Sequence, residues 1–190
     1  MRTPRAPQQP RAQRTRSDLL AAARRVFAER GYDGATVDDV AERAGCSKGA
    51  YYFHFASKEE TLLALLDDWA RERTRQLREA PRDDLLDTLL VPETGGGWGP
   101  RLLIEFWEQA GRNKRVQGKM AAVERSWRRL LQERLAANGQ GAQAAQLALA
   151  LHHGLVVQGC LGQVSRARAK ECATAIESLI ARPKALRRAG

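Results

Sequence analysis

The chain has 190 residues, 43 % of them hydrophobic, and a formal net charge of +10 at pH 7, a core-forming mixture whose surplus positive charge favours polyanionic partners. No run approaches the roughly 20 apolar residues that span a bilayer, and the basic start MRTPRAPQQPRAQRTR has no apolar segment behind it; neither a membrane span nor a secretory signal is expected, and the protein is expected to be cytoplasmic. Three cysteines (Cys46, Cys160, Cys172) without a CxxC pair argue against a disulfide framework or zinc site and suit a reducing compartment.

Residues 1–13, rich in Pro, Gln and Arg, lack apolar periodicity and read as a disordered basic arm. From 14 to 30, Leu19, Leu20, Ala23, Val26 and Phe27 recur at three- and four-residue spacing and predict a helix ended by Gly31. Thr36, supported by Asp39, caps a short second helix that Gly45 stops, and Ser47 caps a third over 48–53. Ser57 with Glu60 forms a capping box for a long fourth helix through Glu79. Pro81 ends that helix and opens a fifth through Leu90.

The glycine-rich stretch VPETGGGWGP (91–100) has neither phosphate-loop spacing nor a preceding strand and reads as a connector. Further helices are predicted over about 100–111, 114–138, 141–165 and 167–181. No segment alternates as a strand does, so the chain is expected to be all-α.

The unit from Thr36 to Phe53 consists of two short helices joined by AGCS, the spacing of a helix-turn-helix. The first helix braces the second, whose outward side chains can enter a major groove. Val40, Ala41, Cys46 and Tyr51 are expected inside; Lys48, Gly49, Ala50, Tyr52, Phe53 and His54 are expected outside. Lys48 suits a phosphate or a guanine edge, Gly49 and Ala50 permit close approach, and Tyr52 and His54 offer donors to phosphate. Lys58 lies in the first turn of the fourth helix, where a cation opposes the helix dipole and a phosphate partner would account for it.

ATVDDVAERAGCSKGAYYFHFASKEETLLALL, with VFAERGYDGATV before it, closely resembles the DNA-binding region of TetR/AcrR-family transcriptional regulators over about residues 15–66. Cys46 stands where that family usually has Val, and Tyr51 where it usually has Leu, so the Tyr51 hydroxyl must find a partner. The resemblance implies a three-helix DNA-binding domain (14–60) with a helix-turn-helix. A larger helical effector-binding and dimerisation domain (61–181) and a basic tail (182–190) would follow. It puts Thr36, Lys48, Gly49, Tyr52, His54 and Lys58 at DNA-facing positions, Tyr52 and Lys58 as phosphate anchors, and Lys48, Ala50 and Phe53 as base readers on a double-stranded operator. The arm arginines either follow a minor groove or only add charge.

The resemblance further implies a homodimer through a four-helix bundle of the last two helices, with Leu151, Gly154, Leu155, Gly159, Gly162, Ile176, Leu179 and Ile180 at the interface. LALALHHGLVVQGCLGQV, apolar nearly all round, suits a helix buried on two sides. It also implies a pocket lined by Trp69, Leu103, Phe106, Trp107, Met120, Val123, Trp127 and His153, and three tryptophans there favour a small apolar or aromatic effector. Release of a repressor from a two-fold symmetric operator by that effector is the expected function.

His152 and His153 are adjacent and point apart on a helix, so one buried and one interfacial imidazole is expected rather than a metal site. Cys160 and Cys172 are expected as small core residues. Glu105 and Glu108 either meet a cationic effector or pair with Arg101 or Arg112. No cofactor is expected, and no catalytic motif supports an enzyme. The other reading of the charge is a nonspecific architectural DNA binder without a ligand, against which the long helical region after the reader argues.

Overall fold

The computed structural model describes residues 9–91, 100–136 and 141–181, and every helix or strand assigned among them is an α-helix. They are α1 (Gln9–Gly34), α2 (Val37–Arg43), α3 (Lys48–His54), α4 (Lys58–Glu79), α5 (Leu85–Leu90), α6 (Pro100–Arg112), α7 (Lys114–Arg134), α8 (Gly141–Cys160) and α9 (Arg166–Ala181). The start of the basic arm, the glycine-rich connector and the basic tail lie outside the described residues, as does the side chain of Ile180. Contacts divide the chain into two compact units between Asp68 and Trp69, within α4 rather than at its start.

In the N-terminal unit α1 buries Leu19, Ala23, Val26 and Phe27. It begins at Gln9, so residues 9–13 are helical instead of arm-like. Pro10 sits in the first turn, where a missing N–H costs nothing. The Thr15 and Ser17 hydroxyls donate to the Arg11 and Gln13 carbonyls. Gly31, at φ 73, breaks the helical path as expected.

Thr36 and Asp39 make a reciprocal capping box on α2: Thr36 Oγ1 accepts from Asp39 N at 3.1 Å, and Asp39 Oδ2 accepts from Thr36 N at 2.9 Å. Beyond α2, Gly45 N donates to the Glu42 carbonyl and Cys46 N to the Ala41 carbonyl, with Gly45 at φ 66. This left-handed wrap satisfies the last carbonyls of α2 and needs glycine. It sets the turn that aims α3.

In the second unit α7 packs on α6 and α8, and α5 on α8 and α9, around Leu77, Leu85, Leu89, Phe106, Val116, Trp127, Leu131 and Ala148. α5 begins at Leu85, not Pro81: Asp84 N and Leu85 N bond to the Pro81 and Arg82 carbonyls in a tight turn. α7 and α8 end earlier than their apolar patterns suggest. For α8 the cause is Gly162, which at φ 68 donates to the Gly159 carbonyl while Gln163 N donates to that of Gln158. Gly162 is thus a helix stop rather than part of the helix. Ser165 caps α9 by accepting from Arg168 N.

Candidate DNA interface and effector region

α3 is held by one buried side chain. Ser47 Oγ accepts from Ala50 N at 3.1 Å and starts the helix. Tyr51 is completely buried; its hydroxyl is paired with Thr61 Oγ1 and lies 3.3 Å from the Ser57 carbonyl. The hydroxyl that the apolar position demanded be satisfied is therefore used to tie α3 to the first turns of α4. Burial pushes the Tyr51 phenol above its usual range, so it remains a donor. The Tyr51 ring also packs on Phe55, over which the Arg16 guanidinium sits at 5.0 Å.

With Tyr51 turned in, the other side chains of α3 turn out. Lys48, Gly49, Tyr52 and Phe53 are exposed and Ala50 and His54 half-buried. Phe53 keeps 79 % of its surface in water and Tyr52 49 %. Lys48 Nζ lies 3.0 Å from Asp38 Oδ2 on α2, and that carboxylate holds the ammonium's pKa above its ordinary value. The pair is exposed and weak. Asp38 is a residue of this face that the motif did not single out, because the contact depends on how α2 and α3 cross.

Two residues expected at the interface are used internally. The Thr36 hydroxyl is engaged by Asp39. Lys58 Nζ donates to the Tyr32 carbonyl at 2.6 Å and to the Ala35 carbonyl at 2.9 Å, with that of Asp33 at 3.5 Å, and sits 4.3 Å from the centre of the Tyr32 ring. The cation that looked misplaced at the start of α4 completes the carbonyl end of α1, where the helix dipole favours it.

In the second unit three of the expected effector residues form one buried aromatic cluster. Trp69 lies 5.1 Å from Trp127 and 6.0 Å from Phe106, centre to centre, and all three are buried. Trp127 Nε1 donates to Thr74 Oγ1 at 2.8 Å. Trp107 and Val123 are half-buried, with Trp107 edge-on to His153 at 5.2 Å, while Leu103 and Met120 are buried.

Of the two histidines His152 is the buried one, against Trp127 and with Nδ1 2.9 Å from the Leu89 carbonyl. Burial, then the positive charge of Arg73 and the neighbouring His153, push its pKa down to about 3 against the opposing pull of that carbonyl. It is a neutral imidazole with Nδ1–H as the donor. His153 Nε2 lies 3.4 Å from Glu124 Oε1, and Glu108 pairs with Arg112.

A separate open cavity of about 750 Å³ is lined by Arg73, Gln76, Glu79, Ala80, Asp84, Asp87, Thr88, Val91, Arg166 and Lys170. None of the expected effector residues lines it.

The dimer candidates divide. Leu155 and Ile176 point into their own core and Gly162 stops α8, so these three do not present an outer face. Leu151, Gly154 and Gly159 are half-buried and Leu179 is exposed. With Leu147 and Val157, which the sequence reading missed, Leu151 and Gly154 form a stripe along the outside of α8, and Leu161, also missed, continues it in the turn beyond. Cys160, expected in the core, is exposed, and Cys46 and Cys172 are half-buried. Among the described residues no three His, Cys, Asp or Glu side chains gather as a metal site, and no helix is long and apolar enough to cross a membrane.

The sequence profile of the bacterial regulatory proteins, tetR family, matches residues 19–65, and that of the BetI-type transcriptional repressor C-terminal region matches 99–181. The HTH-type transcriptional repressor AcnR of Corynebacterium diphtheriae is 40 % identical over 94 residues, 47 % of each chain. The chain spans less than half the length of the curated relatives it matches first. The crystal structure of a transcriptional regulator from Rhodococcus sp. Rha1 superposes with a TM-score of 0.76 at 23 % identity, covering 87 % of this chain and 95 % of that one. A Saccharomonospora viridis protein crystallised in complex with choline gives 0.71 at 22 % identity, over 87 % and 94 %. At these identities the structural likeness shows the fold alone.

Proposed function

The chain belongs to the TetR family of bacterial regulatory proteins, and on that footing we propose that it is a cytoplasmic, sequence-specific DNA-binding transcriptional regulator, a homodimeric repressor rather than an enzyme. The observation that carries this reading is the outward face of α3. Lys48, Gly49, Tyr52 and Phe53 stand in solvent on a helix anchored from behind by Tyr51, the arrangement that lets side chains reach base edges. Lys48 and Phe53 are assigned to bases, Tyr52 and His54 to phosphates, and Lys58 to positioning α1 against α4.

One such helix reads few base pairs, so sequence specificity calls for two copies on a two-fold site. The apolar stripe of exposed Leu147 and Val157 with half-buried Leu151 and Gly154 on α8, continued by Leu161 just beyond it and Leu179 on α9, is the proposed contact. A Cβ on Gly154 would meet nothing within 4 Å in its own protomer, which leaves room there for a partner helix.

The effector is proposed to be a small apolar or aromatic molecule, an organic cation included, taken up beside the Trp69–Phe106–Trp127 cluster. Rings at this density attract both classes, and the choline-bound neighbour supports the cationic one. Its binding would favour a conformation in which the paired α3 helices no longer match the operator.

Selection of binding sites from random DNA tests the proposal. A two-fold symmetric motif is expected; equal binding to all sequences would refute it and favour an architectural protein. The selected site, titrated with choline and with aromatic compounds, then tests the effector.

A further inference from the structure

Two choices on the outer face of α3 run against the chain's own stability. At about 100° per residue, Gly49 and Phe53 lie one turn apart and on the side opposite Tyr51. Phe53 holds 79 % of its surface in water, its ring meeting the edge of its neighbour His54 at 5.1 Å. Gly49 weakens a helix that alanine would strengthen. A Cβ there would meet nothing closer than Ser47 Oγ at 3.8 Å, an ordinary contact. Packing within the protein explains neither residue. Both make sense if something approaches this face from outside, close to the backbone at Gly49 and with an apolar group at Phe53.

In the major groove the thymine C5-methyl is the apolar group displayed among hydrogen-bonding edges. A phenyl ring has no donor or acceptor with which to read those edges, so the methyl is the feature it selects. We propose that Phe53 seats on the methyl of one thymine in each operator half-site, and that Gly49 clears the space in which the helix lies close enough to reach it. This rests on the DNA-binding reading above and adds to it a base that the operator must contain.

The test uses the full chain and the site it selects. Each thymine is replaced in turn by deoxyuridine, which removes the methyl and keeps the base pair. At one thymine per half-site the swap should weaken binding about fourfold, and about 15-fold when made in both half-sites, the loss expected for one buried carbon apiece. Phe53→Ala should bind the thymine operator with a similar loss and no longer respond to the swap. Gly49→Ala should bind more weakly while its melting temperature stays the same or rises.

The proposal is overturned if every swap is neutral on a selected operator, or if Phe53→Ala remains as sensitive as the wild type. Methyl-independent binding to a selected operator would overturn the thymine contact and leave the regulator reading intact. Failure to select any sequence would overturn both readings. The swap on the wild-type protein involves no variant, so no folding defect can imitate the result.

Discussion

Lys58→Met separates an internal strut from a phosphate anchor. In the structure the ammonium donates to two carbonyls at 2.6 and 2.9 Å, with a third at 3.5 Å, and faces the Tyr32 ring at 4.3 Å. Methionine keeps most of the apolar stem and removes the charge. One charged hydrogen bond contributes about 1.5–3 kcal/mol, and water can partly replace the donor at half-buried carbonyls, so a net loss of about 2 kcal/mol is expected. For a chain of this size that lowers the melting temperature by about 6 °C if it unfolds as one unit. Thermal and urea denaturation measure the loss. DNA titrations over a range of salt supply the second readout: a strut leaves the salt slope unchanged, whereas an anchor lowers it by about one phosphate contact per protomer. Unchanged stability with a flattened slope would refute the strut and restore Lys58 to the phosphate contacts.

Three further outcomes are expected. Lys48→Ala should relax sequence preference at one position of each half-site without altering thermal stability, measured by repeating site selection; an unchanged motif would remove Lys48 from the base readers. His152 titrates near 6.5 when unfolded and near 3 when folded, so the stability of its neutral form is complete above the unfolded value and declines as pH falls. The cost reaches about 2 kcal/mol at pH 5, and His152→Phe should flatten this part of a urea-midpoint profile between pH 8 and 5; an equally steep profile in that variant would contradict the assignment. Leu147→Glu combined with Leu161→Glu should give monomers in sedimentation at micromolar concentration, and a double variant that still sediments as a dimer would place the interface elsewhere.

Much of the helix-turn-helix was legible because its signals are local. A cap, its partner three residues on and a stopping glycine act within one turn of backbone. Thr36–Asp39, Ser47, Gly45 and Gly31 therefore behave as their spacing predicts, and the inward turn of Tyr51 follows from helical periodicity once the helix is placed. Pro81 misled because proline is compatible with a tight turn as well as with the first turn of a helix.

The remainder depends on contacts between residues far apart in the chain. Lys58 is a cation in the wrong turn of α4 until the fold brings the end of α1 to it, across more than twenty residues of sequence. Which of two adjacent histidines is buried follows from where the Leu89 carbonyl and the Trp127 ring lie.

α8 is the clearest case. A helix apolar nearly all round has no phase, so composition predicts burial on two sides without assigning residues to either. Packing against α5, α6, α7 and α9 claims Leu155 along with His152, and leaves Leu147, Val157 and Leu161 outside. Local chemistry thus determined the caps and stops of α2 and α3 and the helix-turn-helix they form. The partners of long side chains and the free face of an all-apolar helix were set by tertiary packing, because only there do distant surfaces compete for the same side chains.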